Sequence, residues 1–168
     1  MKTLPLRPGL WPKRVAGSAV EPIAQASLGD VAPYALAQTA GAIAGAELAN
    51  LMYDVSLADL ATTERSAVGL WLGEIVATAG LVVLVLALLR TGRTALAAPA
   101  VGAYIGAAYW FTSSTSFANP AVTVGRVFSD TFAGIAPSSV PAFLLAQVVG
   151  AAVGLTLALA LYPTRSPA

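Results

Sequence analysis

Few side chains in this sequence can take part in chemistry, and those few sit in an apolar background. Residues 110–135, WFTSSTSFANPAVTVGRVFSDTFAGI, place uncharged hydroxyls at Thr112 to Ser116 ahead of Asn119-Pro120, with Arg126 and Asp130 beyond. Glu74 and Thr78 stand four apart in GEIVAT, and Gln38 and Gln147 each follow Leu-Ala. The chain has no His and no Cys, and Glu74 has no acid beside it in sequence. Imidazole and thiol chemistry, Cys/His metal sites and paired-carboxylate acid/base catalysis are therefore excluded. No catalytic residue, metal ligand or cofactor is expected. What remains is hydrogen bonding, either to a small uncharged solute or to the protein's own backbone.

The element that positions Asn119 is legible locally. Asn as N-cap with Pro at the first helical position is a strong helix start. A helix is predicted over about 119–133, with Gly134 as its C-terminal cap. At 1.5 Å per residue it would be about 20 Å long, too short to cross a bilayer. The preceding TSSTSFA is polar and irregular. Such backbone at membrane depth is tolerated only inside protein or beside a water-filled cavity, where the helix start turns its partial positive charge toward the solute path. An N-capped helix on the surface of an extracellular loop is the alternative reading.

The surrounding chain decides the medium. Of 168 residues, 57% are hydrophobic and 10% charged, against roughly 25% charged in soluble domains. Four runs, 31–53, 68–89, 95–111 and 140–162, approach the length needed to span a membrane. Lys2, Arg7, Lys13, Arg14, Arg90, Arg93 and Arg165 fall on one side if both ends are cytoplasmic, whereas the loop after the first run holds Asp54, Asp59 and Glu64 against Arg65 alone. Loops rich in Lys and Arg stay inside, so count and orientation agree. The expected location is the cell membrane, with the lipid bilayer as partner. Residues 1–30 read as a Pro-containing cytoplasmic leader without a signal-peptide core, and 164–168 as a cytoplasmic tail. The small net charge, +1, argues against nucleic-acid binding.

An internal repeat adds architecture. VAPYALAQTAGAIAG at 31–45 and VPAFLLAQVVGAAVG at 140–154 share seven of fifteen positions, a pattern common in transport proteins. Each run also carries glycines four apart, Gly41/Gly45, Gly69/Gly73, Gly102/Gly106 and Gly150/Gly154, which are expected to pack helices closely. Two readings stand for Glu74, one step along a polar path or a brace for a loop's backbone amides.

SFANPAVTVGR resembles the NPA box of the aquaporin (major intrinsic protein) family. GEIVAT resembles the family's Glu-x-x-x-Thr signature, and the two LAQxxGAxxG copies resemble its third and sixth spans. The resemblance covers about residues 28–163. It implies an all-α, multi-pass transmembrane helical bundle of four spans plus one re-entrant half-helix, the C-terminal portion of a channel whose first half is missing from this chain. It further implies passive transport of small uncharged solutes such as water, glycerol or arsenite, and assembly as a homo-tetramer or with a separately encoded first half.

By the same resemblance Asn119 offers its amide to solute while Pro120 and Ala121 hold the turn. Val122 stands where the family usually carries Arg, and ungapped alignment puts Ala107 and Ser116 at the other constriction positions. This implies a filter wider than a strict water channel's. Arg126, seven residues beyond Asn119 on the same helix face, either supplies the displaced positive charge or pairs with Asp130 at i+4. Glu74, Thr78, Gln38 and Gln147 are expected to give structural support. A truncated, non-conducting remnant and a small membrane scaffold that binds partners through its glycine faces remain the alternatives to a channel.

Overall fold

The structure, a computed structural model, describes residues 28–163. The basic residues of the leader and tail, and the assignments made for 1–27 and 164–168, lie outside the described residues. Five α-helices are present, and no strand among the described residues: α1 (Leu28–Met52), α2 (Val68–Arg90), α3 (Ala97–Phe111), α4 (Pro120–Gly125) and α5 (Val140–Leu161). Short 3₁₀ turns at Thr94–Leu96, Arg126–Phe128 and Pro137–Ser139 adjoin α3, α4 and α5. The first helix starts three residues before its expected boundary, so 28–30 belong to α1 and not to the leader.

α2 and α5 are apolar on every side, the pattern of helices surrounded by protein and lipid together. Among the described residues, Val68–Arg90 and Pro137–Leu161 are the two segments both long and apolar enough to cross a membrane, with mean hydropathies of 2.5 and 2.2. α1 has the length, 25 residues or about 37 Å, but Gln38 and Glu47 make it less apolar. α3 has only 15 helical residues, and its 3₁₀ turn brings it to about 28 Å. Large apolar side chains line the outside, with Trp110 87% exposed and Leu36 71%. A patch of that extent facing water is exceptional for a monomer, and lipid is the medium in which it costs nothing.

α2 and α5 run parallel and form the main interface. A Cβ added at Gly150 would lie 2.7 Å from the Ile75 carbonyl, and one at Gly154 would lie 2.5 Å from that of Ala79. No side chain fits there. At the far end the Arg90 guanidinium bonds the Tyr162 carbonyl. α3 runs antiparallel to α2, with the Tyr104 hydroxyl donating to the Ala77 carbonyl (2.9 Å) over the space left by Gly80. α1 packs mainly against α4, where Gly125 approaches the Ala42 backbone.

The glycine expectation holds in this bundle for Gly150/Gly154 and for Gly73, which faces Ser113 and Ser114. Gly41, Gly45, Gly69, Gly102 and Gly106 have no atom within 4 Å of an added Cβ. The reason is geometric: α1 touches its neighbour through Ala42 and α3 through Tyr104, so their glycines meet no other helix, Gly45 facing the open space beside α4.

Candidate functional site

The loop before α4 descends along α2 and α5. Glu74 lies six residues into α2 and Gln147 seven into α5, so both sit about 10 Å below the helix ends. Their side chains hold the loop at that depth. Glu74, fully buried, accepts from the Phe117 amide (3.2 Å), the Ala118 amide (2.5 Å) and Gln147 Nε2 (2.8 Å). Gln147 Nε2 also donates to Thr123 Oγ1 (2.8 Å), which itself donates to the Asn119 carbonyl (3.0 Å). Glu74 only accepts, as a carboxylate must. The brace and the half-helix are thus one network.

The loop has room for this because its backbone is unusual. Thr115 (φ 62°), Ser116 (46°) and Ala118 (46°) all occupy the left-handed region, disfavoured for side chains with a Cβ and most of all for β-branched Thr. The turn sends amides toward Glu74 and carbonyls the other way. A single side chain binds one of those carbonyls, that of Ser114, and two more beyond α4. Arg65, 4% exposed, donates from Nη1 to Ser114 O (3.1 Å), from Nε to Gly134 O (2.7 Å) and from Nη2 to Phe132 O (2.9 Å), with its guanidinium 5.0 Å from the centre of the Phe117 ring. Burial lowers its pKa and Glu74 opposes that, but a guanidinium stays charged. Sequence reading missed this residue. The signal was there, since it is the lone cation of an acidic loop.

Asn119 caps α4 through its own side chain, Oδ1 accepting from the Ala121 amide at 2.8 Å. Its Nδ2 is left without a partner among the described residues. Pro120 occupies the first helical position and Ala121 is buried behind it. The helix is shorter than expected. α-Helical geometry ends at Gly125 and the 3₁₀ turn at Phe128, not near 133. Each late carbonyl is captured from outside: Arg126 O by the Ile135 amide (3.3 Å), Val127 O by the Ala61 amide (2.8 Å), and Phe128 O by Asn50 Nδ2 (2.8 Å). With those acceptors engaged from outside, the chain leaves the helix at Ser129, which is extended (φ −145°, ψ 98°). Gly134 is consequently no C-cap. It is small because Ala61 and the Ser129 carbonyl press on it.

Three adjoining cavities surround α4. One, about 320 Å³, is lined by Ser116, Phe117, Asn119, Val122, Tyr109 and Arg126 among others. A second, about 380 Å³, lies toward the loops and includes Asn50, Tyr53, Ser129 and Thr131. A third, about 220 Å³, runs along α1 past Ala42, Gly45 and Val122. Arg126 lines all three, and Tyr109 lines the first two. The Ser116 hydroxyl is buried with no hydrogen-bond partner. A buried unpaired hydroxyl is costly, so this loop conformation has to be held by other contacts. Mostly apolar walls with these few polar groups suit a small uncharged molecule. No cluster of metal-ligating side chains is present among the described residues.

Other expected residues are placed differently. Ala107 is exposed and lines none of these cavities. Val101, Ile105 and Tyr109, spaced by four, form the α3 face toward the site, and Ala107 lies about 200° around the helix from its neighbours on that face. Arg126 does not pair with Asp130, whose Oδ1 accepts from the Thr62 amide (2.8 Å) and hydroxyl (3.0 Å). Thr78 is buried against Gly150, its hydroxyl unpartnered, and takes no part in the Glu74 network. Gln38, the repeat equivalent of Gln147, is exposed on α1 and makes no hydrogen bond among the described residues.

The chain is 50% identical over 128 residues to the aquaglyceroporin AqpS of Rhizobium meliloti (strain 1021), an alignment covering 76% of this chain and 54% of that protein. The chain therefore spans about half the length of the curated relative it matches. No protein-family model matches it, and no solved structure does. With half its residues shared over an alignment of that length, the chain belongs to the aquaporin (major intrinsic protein) family.

Proposed function

We propose that the chain contributes one half of a passive channel for small uncharged solutes, with glycerol-sized molecules favoured over a strict water selectivity. The observation that supports this reading is the cavity of about 320 Å³ that Ser116, Asn119 and Val122 all line, where the Nδ2 of Asn119 has no partner among the described residues. The Asn119 amide donor, about 10 Å below the helix ends, replaces part of a solute's hydration. Apolar Val122 leaves width where a long cation would close the path. Neutral metalloid hydroxides such as arsenite have the same hydrogen-bonding character and size class. Arg126 provides positive charge along the outer part of the route, opposing cations.

In this reading α1, α2, α3 and α5 span the cell membrane with both termini cytoplasmic, and α4 is re-entrant. A second set of elements completes the pore, in a homo-oligomer or as a separate polypeptide. The two repeat copies support this. Gln147 and Gly150/Gly154 are buried against α2 and α4, whereas Gln38 and Gly41/Gly45 on α1 have no such neighbours. An exposed amide within hydrocarbon favours a partner that accepts its hydrogen bonds.

Stopped-flow light scattering on proteoliposomes tests the proposal with water, glycerol and arsenite in turn. Permeability above that of empty liposomes is expected once the pore is complete. A folded, membrane-inserted preparation in every assembly state passing none of the three would end it.

A further inference from the structure

We propose that Arg65 is a specificity-setting positioning residue: it holds the loop before α4 in its left-handed conformation and so keeps Ser116 in the wall of the solute cavity. The inference rests on the channel reading for its functional consequence, and on geometry alone for its positioning claim.

The loop is suspended between two opposite charges that do not bond each other. Glu74 takes the amides of Phe117 and Ala118 from one side. Arg65 takes the carbonyl of Ser114 from the other, stacks on Phe117 and binds the carbonyls of Phe132 and Gly134 beyond α4. One guanidinium thereby ties the segment before the half-helix to the segment after it. Its planar fork can do this because its N–H donors are fixed in direction, and an ammonium cannot reproduce that arrangement.

Thr115 and Ser116 lie between the two anchors, both at positive φ. A β-branched residue held there is strained and relaxes once the surroundings cease to over-determine it. Removing the Arg65 contact to Ser114 takes away the long-range anchor of the residue directly before this pair and leaves it the local bonds from Thr115 Oγ1 (2.6 Å) and the Ser116 amide (3.1 Å). Relaxation of either residue toward the extended region moves Ser116 out of its place in the cavity wall and its hydroxyl out of its buried position. Arg65 itself is fixed from behind, its amide donating to Ser139 Oγ (2.9 Å), so it acts as an anchored pin and not as a mobile gate. It lines none of the described cavities and touches no solute.

The test compares wild type with Arg65→Gln and Arg65→Lys, each in proteoliposomes and matched for inserted, helical protein. A residue that merely stabilises the fold scales water and glycerol permeability equally, through the fraction of folded channels. A positioning residue changes their ratio. We expect Arg65→Gln to shift the glycerol-to-water ratio about fivefold, the equivalent of one hydrogen bond of roughly 1 kcal/mol in the barrier. Arg65→Lys should recover part of the shift. An unchanged ratio in both variants overturns the proposal.

A second readout is independent of conduction. The sequence has no Cys, so Ser116→Cys introduces a single thiol. Its reaction with a water-soluble methanethiosulfonate should change about fivefold when Arg65→Gln is added. If wild type passes neither solute yet this rate changes, Arg65 positions the loop and only the channel reading fails. An unchanged rate in Arg65→Gln and Arg65→Lys contradicts the positioning role itself.

Discussion

Replacing Glu74 by Gln is the most informative single change, because it keeps volume and shape and alters only hydrogen bonding. Glu74 Oε1 accepts two donors, the Ala118 amide and Gln147 Nε2, and Oε2 accepts one, the Phe117 amide. A glutamine in its best orientation keeps the pair at Oε1 and turns its NH₂ against the Phe117 N–H. One charge-assisted bond, about 1.5–3 kcal/mol, is lost, and the two survivors fall to the neutral range of about 0.5–1.5 kcal/mol each. The expected cost is roughly 3.5–6 kcal/mol, which at about 2–4 °C per kcal/mol for a chain of this size is a melting-temperature decrease of about 7–24 °C. Circular dichroism melts in one detergent for both proteins measure it. A decrease below about 2 °C would refute the argument that Glu74 braces the loop. Gln147→Leu, also removing the bond to Thr123, should be destabilising and non-additive with Glu74→Gln.

Other expectations follow from single contacts. Gly154→Val should destabilise the α2–α5 interface by at least about 1–3 kcal/mol through overpacking, whereas Gly106→Ala, with open space around it, should be neutral or slightly stabilising in the same melts. Arg126→Ala removes a side chain that bonds nothing among the described residues, so melting should change by less than about 0.5 kcal/mol. Cation leak through reconstituted channels should rise. Glu64 accepts from Ser138 (2.8 Å) and Ser139 (2.9 Å), and these bonds hold its carboxyl below the ordinary value of 4.5. A depressed folded-state value means its stabilisation is present above the ordinary carboxylate range and lost as pH falls through it. Melting temperature should therefore drop across the acid side of 4.5, and Glu64→Gln should remove that component in parallel melts.

What was legible in the sequence was local. The Asn119-Pro120 start, the four hydrophobic runs and the L-A-Q repeat depend on residues adjacent in the chain, and the helices of the four runs begin and end within a few residues of expectation. Where α4 stops was not legible, because the donors that end it come from Asn50, Ala61 and Ile135. The choice of Tyr109 over Ala107 depends on which face α3 turns inward, set by Tyr104 seating over Gly80. What Arg65 binds was not legible for the same reason: although it stands out as the lone cation of an acidic loop, its three carbonyl partners lie 49 to 69 residues away. Glu74 illustrates the middle case. Its residue type announced a buried hydrogen-bonding role, but both readings stayed open until the amides of Phe117 and Ala118 were placed against it.

The central claim is that solute passes α4 at Val122 and Ser116. A Val122→Cys protein, with no other thiol in the sequence, tests it directly in glycerol-permeable proteoliposomes treated with a small mercurial. The account predicts that labelling abolishes most of the glycerol flux, that a thiol reductant restores it, and that Leu72→Cys on the exposed side of α2 is labelled without effect. Undiminished flux through a fully labelled Val122→Cys protein would contradict it.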